Sequence, residues 1–301
     1  MKKILVTGAS GVVGVMVLKY LLAEGKYEIT ALDLKTRKSQ DRLKRFRKRI
    51  NIVYGDVTDP VLIGALVKGH DYVIHLASSS VLFASINKNL SYTVDYLGTV
   101  NICEAIKKYN QDCHILFAST TSMYDNIENP SVKSKLNIRE DDYYDYYKNL
   151  SEKVVEKMDK YTIYRLPLVL SNPLKESFIY NIKNNDIDVI TKRDAANAFV
   201  LGIKNSDKIN KRIFNLASEE IVNYQKIYNN VLKNTGLNVK LIASRIFLTK
   251  DYTSPVCKDR DELENLIGYR CDSVGEYNNR LRNVGSKRRI SKIFAKPFIR
   301  K

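Results

Sequence analysis

The hydrophobic positions of this chain fall in short runs that alternate with longer stretches of helical periodicity. The runs read KILVT, YEITALDL, INIVYG, DYVIHLA, HILFAST and YTIYRLPLVL, and the helical stretches begin with VVGVMVLKYLLAEG and end with YYKNLSEKVVEKM. Runs rich in Val, Ile and Leu without strict alternation are typical of strands buried on both faces of a sheet. The repeated strand and helix units therefore predict an α/β fold with a doubly wound parallel sheet.

The pattern changes near residue 171, where the turn-like segment SNPLKESF begins. It is followed by DIDVITKRDAANAFVLGI, RIFNLAS and VNYQKIYNNVLKNTG, in which short strands and helices are mixed. We therefore predict a large domain over residues 1–170, to which segments near 188–216 return, a smaller mixed lobe over 171–285, and a basic tail over 286–301.

The first strand leads into a glycine-rich turn, TGASGVVG, and then into a helix. Gly8 permits the tight turn, Gly11 lets the backbone approach a pyrophosphate, and Gly14 lets the helix pack closely against the strand. A phosphate would lie at the N-terminus of the helix, where free backbone N–H groups point outward. This turn between a strand and a helix predicts a Rossmann-type dinucleotide-binding domain.

A carboxylate follows at the position that a dinucleotide site requires. Asp33 ends the second strand, nineteen residues after Gly14, and there it would accept hydrogen bonds from the adenosine ribose. Its charge would repel a 2′-phosphate, which favours NAD over NADP. Lys35 and Arg37 follow closely and weaken that preference.

A series of further short motifs follows the glycine turn. They are GDVTD at 55–59, HLA at 75–77, GTVNICEA at 98–105, FASTTSMY at 117–124, YDYYKNLSE at 144–152, RLPLV at 165–169, KRDAANA at 192–198 and FNLASEE at 214–220. In this order the motifs resemble the extended short-chain dehydrogenase/reductase family, specifically its nucleotide-sugar epimerases and dehydratases of the UDP-galactose 4-epimerase type. The resemblance runs to about Tyr269 and implies an NAD-dependent enzyme that acts on a nucleotide sugar.

The resemblance implies that NAD contacts the glycine turn, the acidic residue and the ends of the later strands. The implied cofactor-binding residues are Gly8, Ser10, Gly11, Val12, Val13, Gly14, Asp33, Asp56, Val57, Leu76, Ala77, Ser78, Asp95, Tyr144, Lys148 and Leu166. It implies substrate contacts at Ser80, Thr120, Thr121 and Lys250. It also implies a homodimer formed through the helices that carry the YxxxK segment.

The catalytic group that the resemblance implies is Tyr144, with Lys148 and Thr120 beside it. A phenol with a pKa of about 10 must become more acidic to exchange a proton with a sugar hydroxyl near neutral pH, and a nearby ammonium group has this effect. Tyr144 and Lys148 are four residues apart, so one face of a helix presents both. Of the four tyrosines in DDYYDYYKN, only Tyr144 has a lysine at the fourth following position.

The two residues after Thr120 reduce the number of reaction types that the resemblance allows. Relatives that remove water across C5 and C6 have Asp and Glu there, and decarboxylating relatives have Glu at the second position, whereas this chain has Thr121 and Ser122. Met123 and the distant histidines do not supply the Cys and His pair of the 3,5-epimerases. The resemblance therefore implies reversible hydride transfer at one sugar carbinol, as in a 4-epimerase, with an NAD(P)-dependent keto-sugar or carbonyl reductase as the alternative.

Two other departures concern the substrate. Asp95 stands where the family has Asn three residues before the GT pair, and Leu168 stands where epimerases have an Asn that touches the substrate. These departures keep open an inactive or repurposed relative. A different class of function, a relative that binds a dinucleotide or RNA without catalysis, has its only support in the basic stretch at 35–49.

Composition adds little to this picture. The formal charge of +17 is spread along the chain, with concentrations at 35–49 and in the tail, and such runs are more often solvated helix faces than nucleic-acid sites. We therefore do not expect a nucleic-acid partner. In the tail, Ile290, Ile293, Phe294 and Phe298 lie among cations, which is compatible with weak contact with an anionic membrane surface.

The cysteines and histidines indicate no metal site. The four cysteines form no CxxC pair, and the three histidines are not spaced as ligands. No run approaches the roughly 18 apolar residues of a membrane-spanning helix, and the N-terminal apolar run is too short for a signal peptide. We expect a cytoplasmic protein, which weak contact of the tail would make peripheral at the inner membrane surface.

Overall fold

The computed structural model describes residues 1–79, 84, 87–124, 127–171, 185–235 and 254–283. Two of the predicted substrate contacts, Ser80 and Lys250, lie outside the described residues. The segment 172–184 and the basic tail at 286–301 lie outside them as well, so the predicted membrane contact of the tail stays a prediction.

A seven-stranded sheet organises the described chain. Its strands are β1 (Lys2–Thr7), β2 (Tyr27–Asp33), β3 (Asn51–Tyr54), β4 (Tyr72–His75), β5 (His114–Thr120), β6 (Tyr161–Leu166) and β10 (Arg212–Asn215). All neighbouring strands pair in parallel, in the order β10-β6-β5-β4-β1-β2-β3. The predicted doubly wound parallel sheet is confirmed. The strand order reverses between β1 and β4, and a crevice opens there at the carboxyl edge of such sheets.

Helices cover both faces of the sheet. They are α1 (Val12–Glu24), α2 (Arg37–Leu43), α3 (Pro60–Val67), α4 (Gly98–Tyr109), α5 (Tyr143–Val155) and α6 (Lys192–Lys204). One apolar cluster joins α1 and α6 to the sheet through Leu21 and Phe199, and a second joins α3 and α4 to the other face through Ile63 and Ile106. Because β1 supplies Ile4 to one cluster and Leu5 to the other, it is buried on both faces, as its composition predicts.

The basic stretch at 35–49 forms a capped helix. Thr36 and Ser39 exchange side-chain and backbone hydrogen bonds of 3.0 Å at the start of α2, so the first turn has its backbone donors satisfied. Leu43 and Phe46 are buried beneath the stretch, and its cations other than the half-buried Arg42 are exposed. The helix is therefore amphipathic, with a buried apolar face and a charged outer face.

The helix before α4 is irregular. A helical turn at Lys88–Leu90 continues into a π-helical segment, Ser91–Leu97, and then into α4. The wider winding places Asp95 inside the protein, where it is 1% exposed. Sequence periodicity predicts a helix only from Leu97 onward, so the π-helical segment before it was not predicted. Such segments occur often at functional sites.

Two smaller sheets lie after the sixth strand. β7 (Leu168–Leu170) pairs in parallel with β9 (Val189–Thr191), and β8 (Asp186–Ile187) pairs antiparallel with β11 (Val222–Asn223). The remaining helices are α7 (Tyr224–Thr235), α8 (Glu262–Ile267) and 274–283. A third apolar cluster joins β7, β9, α7 and 274–283, including Leu170, Ile227 and Leu281.

A buried ion pair connects α5 to β6. The Arg165 guanidinium donates from Nε and Nη2 to the two carboxylate oxygens of Glu152, at 2.9 and 2.6 Å, and both side chains are almost fully buried. Arg165 Nη1 also donates to the Tyr124 hydroxyl at 2.5 Å, and that hydroxyl donates to Asn215 at 3.0 Å. Burial raises the pKa of Tyr124 to about 12. The network therefore holds α5 against the sheet through fully paired charges.

Loss of this pair should be costly. We expect Glu152→Ala to lower the free energy of unfolding by about 3–5 kcal/mol, because it leaves the buried guanidinium without its carboxylate. Glu156→Ala, one turn further along the chain and exposed, is the matched control and should change it by less than about 0.5 kcal/mol. Urea unfolding followed by circular dichroism measures both. Equal stabilities of the two variants would contradict a stabilising role for the pair.

Candidate active site

The glycine turn between β1 and α1 depends on space that only glycine leaves. Gly8 has φ +64°, and a Cβ atom there would lie 2.7 Å from the backbone nitrogen of Ala77 after β4. A Cβ atom on Gly14 would lie 2.5 Å from the Gly8 carbonyl oxygen. The turn therefore needs glycine for its left-handed backbone at Gly8 and for close packing at Gly14, the two roles that the sequence predicts.

Asp33 lies against this turn at the end of β2. Its carboxylate accepts hydrogen bonds from the backbone N–H groups of Ser10 at 2.7 Å and Leu34 at 2.9 Å. The Arg42 guanidinium donates to the Ser10 carbonyl oxygen at 2.9 Å from α2. The turn, the acidic residue and the basic helix are thus joined at one place, and the contact of Arg42 is one that sequence spacing does not indicate.

The end of β4 carries a buried imidazole. His75 hydrogen-bonds through Nδ1 to the Thr7 hydroxyl at 2.7 Å and through Nε2 to the Thr99 hydroxyl at 3.1 Å. The Thr7 hydroxyl also accepts from the backbone N–H of Ala77 at 3.2 Å. Burial, with a smaller effect of Lys148, lowers the pKa of His75 to about 3. The ring is therefore neutral, and its hydrogen bonds fix the strand ends next to the glycine turn.

Asp95 is surrounded by hydroxyl groups. Its carboxylate accepts hydrogen bonds from Ser78 Oγ at 2.5 Å, from Ser91 Oγ at 3.0 Å, and from both the backbone N–H and the hydroxyl of Ser79. One carboxylate oxygen lies 3.9 Å from Lys148 Nζ. The departure from Asn thus places a negative charge beside the lysine of the YxxxK segment.

Lys148 is buried between β5 and the π-helical segment. Its Nζ donates to the Ala118 carbonyl oxygen at 3.0 Å and lies 4.8 Å from the centre of the Phe117 ring. Burial lowers the pKa of Lys148, while the charges of Asp95 and Glu152 raise it. The pKa of Lys148 stays below its ordinary value, because the neighbouring carboxylates offset the effect of burial only in part. Half-buried Tyr144 lies one turn earlier in α5.

Thr120, the last residue of β5, belongs to a chain of polar groups. Its hydroxyl lies 2.7 Å from Ser122 Oγ and accepts from the Ser122 N–H at 3.1 Å. The Ser122 hydroxyl donates in turn to the carboxylate of Asp145, which follows Tyr144 in α5. All three side chains are buried. The sequence motif points to Thr120 alone, because a contact across twenty-three residues has no signal in local spacing.

A cavity of about 270 Å³ opens beside this chain. Its lining includes Ser122, Met123, Asn137, Arg139 and Asp145. Thr121 is fully buried next to it, and its hydroxyl has no partner among the described residues. Polar groups from β5 and α5 thus meet the cavity at the same edge of the sheet.

The remaining predicted cofactor contacts lie at the ends of neighbouring elements. Asp56 accepts a hydrogen bond from the Thr58 N–H at 2.9 Å. Val57 packs against Gly98, and a Cβ atom on Gly98 would lie 2.7 Å from the Val57 side chain. The other predicted positions follow the same edge: Gly11, Val12 and Val13 at the start of α1, Leu76 after β4, and Leu166 at the end of β6. Their roles in binding stay predictions.

No three His, Cys, Asp or Glu side chains among the described residues are grouped so that they could hold a metal ion. Across the same part of the chain, no helix combines the length and the apolar character that crossing a bilayer requires. Cys103, Cys113 and Cys257 are buried free thiols, and Cys271 is an exposed free thiol.

The strand order and the glycine turn together define a Rossmann-type α/β fold of the extended short-chain dehydrogenase/reductase type. Residues 4–217 match the model of the NAD dependent epimerase/dehydratase family, and the chain belongs to this family.

Two curated relatives illustrate how far the sequence similarity extends. The chain is 28% identical over 131 residues to CDP-paratose 2-epimerase of Salmonella typhi, covering 42% of this chain and 39% of that protein. It is 34% identical over 129 residues to dTDP-glucose 4,6-dehydratase of Mycolicibacterium smegmatis, covering 42% of this chain and 38% of that protein. The matches therefore span about two fifths of the length of these relatives.

Solved structures are similar over the whole fold. UDP-glucuronic acid 4-epimerase from Bacillus cereus has a TM-score of 0.76 and 19% identity, covering 95% of this chain and 99% of that one. The dTDP-glucose 4,6-dehydratase DesIV from Streptomyces venezuelae has a TM-score of 0.78 and 19% identity, covering 95% and 98%. At such low identity the similarity concerns the fold.

A methyl group in the glycine turn should weaken dinucleotide binding. We expect Gly14→Ala to lower the affinity for NAD by at least about tenfold, because relief of the contact with the Gly8 carbonyl costs about 1–3 kcal/mol and distorts the turn. Gly69→Ala is the control, since a Cβ atom there meets nothing within 4 Å. Isothermal titration calorimetry gives both affinities. Equal binding by the two variants would contradict the role of the turn.

His75 should make the protein sensitive to acid. Its pKa is about 6.5 when unfolded and about 3 when folded, so below pH 6.5 only the unfolded chain takes up this proton. Folding stability from His75 is therefore lost as the pH falls from 6.5 toward 3, by about 1.4 kcal/mol per pH unit. The stability difference between the unmodified chain and His75→Gln should narrow at that slope. A constant difference in urea unfolding from pH 7 to pH 4.5 would exclude this role.

Proposed function

We propose that this chain is an NAD-dependent enzyme of the nucleotide-sugar 4-epimerase type, acting by reversible hydride transfer at one carbinol of the sugar. The observation that supports this most is the placement of Lys148, four residues after Tyr144 in α5 and buried against the Ala118 carbonyl and Asp95. Buried charged groups with a specific charge partner are concentrated at functional sites, which supports a role for Lys148 beside a reacting group.

Each member of the catalytic set has a separate role. Tyr144 exchanges the hydroxyl proton of the sugar carbinol, and the Lys148 ammonium stabilises the phenolate that forms. Thr120 forms a hydrogen bond with the reacting oxygen from the end of β5. NAD held by the glycine turn and Asp33 would supply the reversible hydride acceptor that a 4-epimerase needs.

The glycine turn fits a dinucleotide in the proposed site. A Cβ atom on Gly11 would come within 3.0 Å of the Gly8 carbonyl, so glycine keeps the backbone open to a pyrophosphate. Asp33 is held by two backbone N–H groups, and each carboxylate oxygen has a further lone pair for a ribose hydroxyl. The same charge disfavours the 2′-phosphate of NADP, which supports NAD as the cofactor.

The residues after Thr120 argue against elimination. A 4,6-dehydratase needs an additional acid and base, and Thr121 and Ser122 carry only hydroxyl groups. A single oxidation and reduction at one carbinol needs no such pair. The choice is then between returning the hydride to the opposite face, as a 4-epimerase does, and releasing a reduced product.

A keto-sugar or carbonyl reductase is the second candidate function. Leu168 is 5% exposed and packs in the third apolar cluster, so it supplies no amide to a sugar. This favours a substrate other than that of the common 4-epimerases. A homodimer through α5 is also part of the proposal and rests on the family resemblance.

One experiment distinguishes the two candidates. Denaturation of freshly purified protein, followed by mass spectrometry of the released small molecules, should yield NAD if the enzyme is an epimerase that keeps its cofactor. If no dinucleotide is released and the protein binds added NADPH more tightly than NADH, the reductase becomes the favoured function. A chain that binds neither dinucleotide would contradict both.

Removal of the Tyr144 hydroxyl should stop the reaction. We expect Tyr144→Phe to lower kcat by about 10²–10⁴-fold in a panel of UDP- and GDP-sugars, because general acid–base catalysis supplies a factor of this size. Affinity for NAD should change little. Tyr146→Phe removes a hydroxyl from the same helix and is the matched control. Undiminished turnover by Tyr144→Phe would exclude the assigned role, and a chain without turnover of any sugar would exclude the enzyme itself.

A further inference from the structure

The carboxylate next to Tyr144 has no part in the mechanism described so far. Asp145 is 7% exposed, and it accepts the hydroxyl proton of Ser122, which is 4% exposed. Ser122 connects it to Thr120, whose hydroxyl lies 2.7 Å from Ser122 Oγ. A carboxylate from α5 thus reaches the end of β5 through a single serine.

The number of hydroxyl protons determines which group donates in each hydrogen bond between Asp145, Ser122 and Thr120. A serine hydroxyl has one proton, and Ser122 donates it to a carboxylate oxygen of Asp145. Ser122 Oγ can then only accept from Thr120, so the Thr120 hydroxyl donates to Ser122. Thr120 Oγ1 already accepts from the Ser122 N–H at 3.1 Å, which leaves it one lone pair and no proton for any further partner.

We propose that Asp145 and Ser122 are positioning residues that make Thr120 a hydrogen-bond acceptor, so that the site recognises a free hydroxyl group at the reacting carbon of its substrate. The inference rests on the proposed function, since Thr120 must face the sugar carbinol. An alcohol has a proton to donate to Thr120, whereas a ketone or a fluorine at the same carbon has none. Thr120 therefore acts in recognition of the alcohol, and Tyr144 remains the group that exchanges the proton.

The location of Asp145 couples the position of the proton-exchanging Tyr144 to the orientation of Thr120. Asp145 and Tyr144 are adjacent in α5, and Ser122 follows β5 by two residues. A shift of the helix would move both the proton-exchanging phenol and the carboxylate that orients Thr120. The Ser122 hydroxyl also occupies the place where decarboxylating relatives carry Glu, so here the carboxylate lies one hydrogen bond further from the sugar.

Binding of paired ligands tests this inference without turnover. NAD-loaded protein that carries Tyr144→Phe is titrated with UDP-glucuronate and UDP-glucose and with the 4-deoxy-4-fluoro analogue of each. We expect the fluoro analogue to bind more weakly, and Ser122→Ala to lower the ratio of the two Kd values by about twofold to tenfold, because Thr120 is then free to turn its proton toward the ligand. Asp145→Ala should lower the ratio similarly.

The combined variant identifies the route of the effect. If Asp145 acts only through Ser122, the two substitutions together should change the ratio no more than Ser122→Ala alone. Tyr146→Phe is the matched control and should leave the ratio unchanged. Melting temperatures show whether each variant folds. If Asp145→Ala does not fold, the Kd ratio of Ser122→Ala alone tests the inference.

The outcomes separate this inference from the function on which it rests. A ratio that Ser122→Ala leaves unchanged overturns the inference while the proposed function stands. Additive effects of the two substitutions also overturn it, because Asp145 would then act by another route. Failure of the NAD-loaded protein to bind any of these sugars overturns both.

Discussion

A lysine ammonium can stay charged inside a protein only where acceptors and opposite charge surround it. Lys148 has such surroundings because two parts of the chain meet α5 there: β5, with the carbonyl of Ala118 and the ring of Phe117, and the π-helical segment, with the carboxylate of Asp95. The rest of the candidate site depends on this meeting point. Tyr144 follows the same helix, and Thr120 ends the same strand.

The charge of Asp95 connects the lysine to the cofactor side of the crevice. Its serine partners Ser78 and Ser79 come from the loop after β4, next to the Ala77 that packs against the glycine turn. Asn at this position would accept through one oxygen only, would donate from Nδ2 at the place of the other, and would carry no charge. The structure thus gives a physical use for a departure that the sequence shows only as a mismatch.

Much of the fold could be predicted from the sequence, because buried parallel strands and a glycine turn leave strong local signals. Gly8, Gly14 and Asp33 are identified by spacing from one strand end, and Tyr144 and Lys148 by spacing along one helix. The contacts of Arg42, Asp145 and Ser122 could not be predicted in this way. They depend on where separate elements meet and on the direction of each side chain, and neither property has a period along the chain. The π-helical segment has no hydrophobic signature for the same reason.

The polar network behind α5 has a consequence for how the molecule is made. Glu152 and Arg165 reach Asn215 through Tyr124, and the Asn215 amide donates to Asp259 at 2.8 Å. Asp259 also accepts from the backbone N–H of Val132 at 2.8 Å, in the segment that precedes α5. The contacts around α5 are therefore complete only when Asp259, which follows β10 in the chain, is in place. A chain that ended at β10 would have every strand of the seven-stranded sheet but would lack the carboxylate that joins Asn215 to the segment before α5.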